Sequence, residues 1–285
     1  MVGVVTNPDK PAGRGLALRP SPVKARAVDL GLVVQDPPTA KDPALQAWVA
    51  DLALDVAVVV AYGKILPRSL LSIPEHGFVN LHFSLLPEYR GAAPVQRAVM
   101  DGRSETGISI MVLTEGMDEG PVIAAQGLAI DPHESAGRLG ERLAELGAQM
   151  LPDALRGYVS EQIRPEPQND LKGTYADKIS DEDARIDWGR TFASIDALVR
   201  GMDPNPGAWT TLRGKRLKVF RVEAADDITV RPGELVPGPE LVVGTGDRAA
   251  RLVEVQAAGK RRMPGTDLAR GLRVVPGESL GEGGA

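Results

Sequence analysis

The chain has 285 residues, 43% of them hydrophobic and 25% charged, with a formal net charge of −5 and no cysteine. That is the balance of an ordinary globular protein long enough for two domains, and it excludes disulfides, a thiolate nucleophile and cysteine-bound zinc. The negative charge and an aromatic content of 4% argue against a general nucleic-acid binder or a stacking platform, so any nucleic-acid contact has to come from a local basic patch.

In chain order, Val2–Thr6 is a short apolar run closed by Asn7, Pro8 and Asp9, and it reads as a strand. Ser21 before Pro22 is an N-cap followed by proline at the first helical position, which predicts a helix to about Leu30. Leu32–Val34 is a second short strand, and Asp42-Pro43 opens a helix to about Leu54. Asp55–Ala61 (DVAVVVA) is apolar throughout and predicts a strand buried on both faces. Gly77–His82 is the next strand, Pro94–Met100 a helix, Gly107–Leu113 and Val122–Ile130 two further strands, and Ser135–Tyr158 a long helix. Strands alternating with helices predict a mostly parallel α/β sheet, Rossmann-like in type.

Near residue 160 the texture changes. Ile163–Tyr175 (IRPEPQNDLKGTY) is rich in proline and polar residues and reads as a linker, placed at 161–178 between a domain at 1–160 and another at 179–285. Thr191–Met202 is a helix. The short runs Trp209–Leu212, Leu217–Ala224, Glu234–Val236, Leu241–Val243 and Ala250–Val255 predict a small β-barrel compatible with an OB-fold. No run approaches the roughly 18 apolar residues of a membrane span, and no basic segment precedes an apolar leader, so a cytoplasmic location is expected.

Chemistry-bearing residues begin with Asn80 and His82. Side chains two apart on a strand share a face, here with Phe78, while Val79 and Leu81 take the other. Carboxyl ends of strands carry the ligand sites of open α/β sheets. An uncharged amide donor beside an imidazole suits a carbonyl oxygen that turns negative in a tetrahedral transition state. Taken alone, the pair reads first as a hydrogen-bonded closure of the strand end, ahead of the catalytic role. The loop Leu113–Pro121 (LTEGMDEGP) is tightly specified by Gly116, Gly120 and Pro121, and an acid within it would orient His82. Residue type does not choose among Glu115, Asp118 and Glu119.

The segment Asp9–Leu18 (DKPAGRGLAL) is glycine-rich and basic but lacks the lysine-hydroxyl pair of a P-loop, so a solvated loop and an anion contact both stay open. His76 and His133 lie far from His82 and from each other, without metal-ligand spacing. Arg213, Lys215, Arg216, Lys218 and Arg221, with Lys260, Arg261 and Arg262, form two basic clusters suited either to phosphate or to a solvated face.

The run NLHFSLLPEYRGAAP (Asn80–Pro94), followed 38 residues after Asn80 by Asp118 in GMDEGP, resembles the folate-dependent formyltransferases, in particular those acting on charged initiator tRNA. PDKPAGRG (Pro8–Gly15), VVVAYGKILP (Val58–Pro67), TYADKIS (Thr174–Ser180), ARIDW (Ala184–Trp188) and DPNPGAWT (Asp203–Thr210) extend the likeness over nearly the whole chain. The resemblance implies a Rossmann-like formyltransferase domain joined to an OB-like tRNA-binding domain. It implies formyl transfer from 10-formyltetrahydrofolate to the α-amino group of methionine on initiator tRNA, by a monomer with no metal and no membrane partner. It matches Asn80, His82 and Asp118 to a catalytic triad. Folate contacts fall to Tyr62, Gly63, Ile65 and Leu66 and to Ser84, Leu85, Leu86 and Pro87. tRNA contacts fall to Arg14, with Lys215, Arg216 and Lys218 in the basic hairpin. One departure is Leu16-Ala17-Leu18, where members of the family often carry lysine. Transfer to a small amine, and a catalytically idle RNA-binding protein, are the competing readings.

The chain also opens inside a strand signal, where the resemblance implies a preceding strand and helix. The expectation is a start placed late or a truncated gene: a form as written that is poorly stable or inactive, and rescue on restoring upstream codons. Soluble yield and melting of the two forms are the check, and equal behaviour counts against it.

Overall fold

Helix starts follow the caps. In this computed structural model, which describes residues 1–12 and 17–281, Ser21 Oγ accepts from the Lys24 amide at 3.1 Å and Asp42 Oδ1 from the Ala44 amide at 2.8 Å. Each such cap is worth about 1 kcal/mol. The elements in the first half are β1 (Val4–Val5), β2 (Lys10–Ala12), β3 (Ala17–Arg19), α1 (Pro22–Asp29), β4 (Val34–Gln35), α2 (Pro43–Asp51), β5 (Ala57–Val59), α3 (Arg68–Leu71), β6 (Phe78–His82), β7 (Arg90–Gly91), α4 (Pro94–Met100), β8 (Glu105–Val112), β9 (Val122–Ala129) and α5 (Ala136–Val159). The second half adds β10 (Tyr175–Ala176), α6 (Phe192–Met202), β11 (Ala208–Leu212), β12 (Lys215–Ala225), β13 (Leu235–Val236), β14 (Val242–Gly244), β15 (Ala249–Ala257), β16 (Met263–Pro264) and α7 (Gly265–Leu272).

Met1–His82, Ile108–Gln126 and Gly147–Gly173 make one compact unit. Its main sheet has the order β5-β6-β8-β9, while β1 pairs in parallel with β4. β5 runs parallel to β6, but β8 is antiparallel to it, with His82 opposite Ser109 and Asn80 opposite Met111. The sheet is therefore mixed rather than mostly parallel. Strand-helix alternation sets element type, not the direction in which a strand enters after a long connection. The run around β5 is likewise not buried on both faces: Val58 and Val60, which share one face, are 40% and 46% exposed. At the two ends of the segment read as a glycine-rich loop, β2 and β3 pair antiparallel, with Lys10 opposite Arg19 and Ala12 opposite Ala17.

Two packings hold β6. Phe78 joins Leu45, Val49 and Leu70 in a core flanked by Trp48, Tyr62 and Leu66, and each such buried side chain contributes about 1.5–3 kcal/mol. Leu81, on the opposite face, lies against Gly147 of α5, where a Cβ would stand 2.5 Å from Leu81 Cδ2. The absent side chain lets helix and strand close, leaving Asn80 and His82 as the polar groups of the other face.

The second unit comprises Phe83–Gly107, Gly127–Leu146 and Thr174–Ala285. Its antiparallel sheet has the order β11-β12-β15-β14-β13, with β16 on β15. β11 and β12 are joined by Arg213 (φ +50°) and Gly214 (φ +70°), a two-residue turn of primed type. The Arg213 side chain is anchored by Glu278, whose Oε1 accepts from Arg213 Nε at 2.6 Å. β16 and α7 were not expected: two residues of strand and an eight-residue helix opening on glycine give too little periodicity to read. The core gathers Trp188, Ile195, Val199, Met202, Leu217 and Leu252, and Trp188 Nε1 donates to Thr210 Oγ1 at 3.1 Å.

In the same unit the Asp183 carboxylate accepts from the Ser180 amide at 2.8 Å, from Ser180 Oγ at 2.7 Å and from Arg97 Nη2 of α4 at 3.2 Å. The Ser180 bonds, and after them Arg97, hold its carboxyl below the usual carboxylate range. Its contribution is therefore complete above the pKa of an unfolded aspartate and is lost as pH falls through the lower folded value. Asp183→Asn is expected to cost about 1–2 kcal/mol at neutral pH and to weaken the decline of stability in acid. Denaturant melts at pH 7 and pH 3 measure both.

Candidate active site

His82 ends β6 and is 5% exposed on its side chain, and Asp118, in the loop between β8 and β9, is 15% exposed. Asp118 Oδ2 lies 3.5 Å from His82 Nδ1, and Asp118 Oδ1 accepts from Asn80 Nδ2 at 3.4 Å. The two polar residues of the strand end thus share one carboxylate. Both distances are at the long end of hydrogen bonding. Nδ1 is the imidazole nitrogen that faces the acid, and Nε2 stands on the other side of the ring. Asn80 has two amide hydrogens, and the contact to Asp118 uses one.

The structure separates the three acids of the loop. Glu115 is exposed, with its Oε1 3.4 Å from Arg68 Nε. Glu119 folds back on its own turn, since a Cβ at Gly116 would lie 2.2 Å from Glu119 Oε2. Asp118, with a left-handed φ of +53°, is the acid that meets Asn80 and His82. The loop is held on both sides. Val112 N donates to Pro121 O at 2.9 Å, and Gln168 Nε2 donates to Asp118 O at 2.8 Å and Gly120 O at 2.7 Å.

Gln168 belongs to the stretch that composition marks as a linker. That stretch is ordered: Glu166 and Val122 exchange two backbone hydrogen bonds of 2.8 Å. The sequence signal that would have found it is the Pro165-x-Pro167 frame, which favours extended backbone able to pair with a strand.

The segments matched to folate differ in character. The Tyr62 ring lies against the core of its unit, its hydroxyl is buried without a hydrogen-bond partner among the described residues, and burial pushes the phenol up. Gly63 takes φ +72°, Ile65 is 87% exposed and Leu66 packs partly buried. In the second unit Ser84 is fully buried and its Oγ donates to Glu88 O at 2.6 Å, so this hydroxyl braces the turn that carries Leu85, Leu86 and Pro87.

Among the residues matched to tRNA, Arg14 lies outside the described residues. Lys215 is exposed. Arg216 stacks on Trp209 at 3.9 Å and donates to Asp181 Oδ1 at 3.0 Å, which holds the Asp181 carboxyl below its usual range. Lys218 Nζ donates to Pro206 O at 2.6 Å. Arg221 and Arg262 also have acidic partners, Glu223 and Asp203. The hairpin is thus less positive than its composition suggests. His76 packs edge-on against Tyr158 at 5.7 Å. No helix among the described residues is long and apolar enough to cross a membrane.

Residues 1–155 match the formyl transferase family and residues 178–273 its C-terminal domain. The chain is 45% identical over 284 residues to a methionyl-tRNA formyltransferase of Roseiflexus castenholzii, covering 99% of this chain and 91% of that one. It is 45% identical, over 99% of this chain and 92% of the other, to a methionyl-tRNA formyltransferase of Streptomyces coelicolor. In fold it is similar to HypX of Aquifex aeolicus in complex with tetrahydrofolic acid, with TM-score 0.65, 18% identity, and coverage of 85% of this chain and 43% of that one. It is similar also to the methionyl-tRNA formyltransferase of Clostridium thermocellum, with TM-score 0.56, 19% identity and coverage of 68% and 82%.

Proposed function

The chain belongs to the methionyl-tRNA formyltransferase family, and we propose that Asn80, His82 and Asp118 carry the transfer of a formyl group from 10-formyltetrahydrofolate to the α-amino group of methionyl initiator tRNA. The observation that supports this most is the meeting of an amide, an imidazole and one partly buried carboxylate at the end of β6.

The chemistry follows from what each group can donate. The neutral α-amine attacks the formyl carbon, and the carbonyl oxygen becomes an oxyanion. Asn80 Nδ2 and His82 Nε2 are the two donors for that oxygen. His82 then needs hydrogens on both nitrogens, one facing Asp118 and one facing the oxyanion. Charge developing in a water-poor site is stabilised by fixed donors far more than in bulk water. The bond from the formyl carbon to the folate nitrogen breaks, and the proton lost by the attacking amine is delivered to that nitrogen. Asp118, which touches both donors, is placed to assist this transfer through His82 or a water.

Folate is assigned to the Tyr62–Leu66 and Ser84–Pro87 segments, and tRNA to Arg14, Lys215, Arg216 and Lys218. Location in the cytoplasm, with the charged tRNA, fits this assignment. The test is to incubate the full chain with 10-formyltetrahydrofolate and either charged initiator tRNA or free amines. Formylmethionyl-tRNA is the expected product. Formylation of the amines alone would assign a small-molecule substrate, and no product in either arm would refute the reading.

A further inference from the structure

The Asp118 carboxylate is only as well placed as the loop that carries it, and that loop does not hold itself. Asp118 sits at φ +53°, a conformation that costs a non-glycine residue about 1–2 kcal/mol and persists only where its surroundings impose it. The imposing group comes from far along the chain. Gln168 Nε2 donates to the carbonyl oxygens of Asp118 at 2.8 Å and Gly120 at 2.7 Å, so one amide spans both sides of Glu119. Its approach is set by Glu166, whose amide and carbonyl are both bonded to Val122 at 2.8 Å, at the start of the strand that leaves the loop.

We propose that Gln168 is a positioning residue for Asp118: by clamping the backbone on both sides of residue 119 it sets the direction in which the Asp118 carboxylate meets Asn80 and His82. This rests on the assignment of Asp118 to the catalytic group. The chemistry is specific to an amide. Two carbonyl oxygens need two N–H donors from one side chain, which glutamine supplies. A glutamate in its place would set carboxylate oxygens against carbonyl oxygens, and a methionine would keep length and bulk but donate nothing.

The test compares Gln168→Met and Gln168→Glu with the parent chain in steady-state formylation of initiator tRNA, alongside Asp118→Asn. Misplacement of a catalytic group by about an ångström costs on the order of 10²-fold, so both Gln168 variants are expected to lose about 10-fold to 100-fold in kcat. KM for 10-formyltetrahydrofolate is expected to stay at the parent value, and the melting temperature to fall by a few degrees as two carbonyls lose their donor, with kcat reduced even when counted per folded molecule. Unchanged kcat in Gln168→Met overturns the proposal. So does a loss of kcat that vanishes when turnover is counted per folded molecule, or one accompanied by a raised folate KM, because it would make Gln168 a support of the fold. The Asp118→Asn arm keeps the two ideas apart. An active Asp118→Asn removes the catalytic reading and this inference together, whereas an inactive Asp118→Asn beside a fully active Gln168→Met removes the inference alone.

Discussion

Alanine at His82 or at Asn80 is expected to lower kcat for formylation about 10²–10³-fold, the cost of deleting one donor to an oxyanion. Binding of 10-formyltetrahydrofolate is expected to be near unchanged, because both side chains are assigned to the transition state and not to the bound cofactor. The double variant is expected to fall well short of the product of the two losses, since both donors act on one oxygen and share one carboxylate. Rapid-quench or steady-state assays with charged initiator tRNA, together with folate titration by fluorescence, measure the split. If the pair merely closes the strand end, the same variants melt earlier while turnover per folded molecule stays normal. Near-normal turnover in either single variant would withdraw that residue from the catalytic group.

Gly120→Ala is expected to be nearly as damaging without touching a reacting atom. A Cβ at residue 120 would stand 1.8 Å from Val112 O and 3.1 Å from Met111 Cε, and the first of these is backbone that cannot swing aside. The loop or the strand has to move. Either movement disturbs the Val112–Pro121 hydrogen bond and carries Asp118 with it. Overpacking of this kind costs about 1–3 kcal/mol, which lowers the melting temperature by several degrees in a domain of this size. The displacement of Asp118 is expected to remove on the order of 10²-fold from kcat. Scanning calorimetry and the formylation assay on one preparation read both effects. Parent-like melting and parent-like turnover together would mean that the loop relaxes at no cost and is not held as described here.

These expectations differ in where they were legible. Asn80 and His82 share a face because strand periodicity requires it, and that much is written in the residue order. Helix starts at Ser21 and Asp42 were readable for the same kind of reason: a cap is a bond between neighbours in sequence. The motif after His82, with the Asp118 loop at its spacing, was enough to suggest the formyltransferase resemblance, and the 45% identity to methionyl-tRNA formyltransferases agrees with it.

Other features were not legible because they depend on which distant segments meet. Nothing in LTEGMDEGP separates Asp118 from Glu115 and Glu119. Their roles diverge only when Glu115 finds Arg68, Glu119 folds onto Gly116, and Asp118 turns to the strand end. Strand direction in β8, the exposure of Val58, and the acidic partners that offset Arg216 and Arg262 are of the same type. Gln168 is the extreme case: a proline-rich connection by composition, it reaches back 50 residues to bond the carbonyl of Asp118. Local order sets what a residue can offer, through its periodicity, caps and donors. Long-range packing sets which offer is taken up, because a hydrogen bond or an ion pair needs a partner whose place is fixed only once the chain has folded.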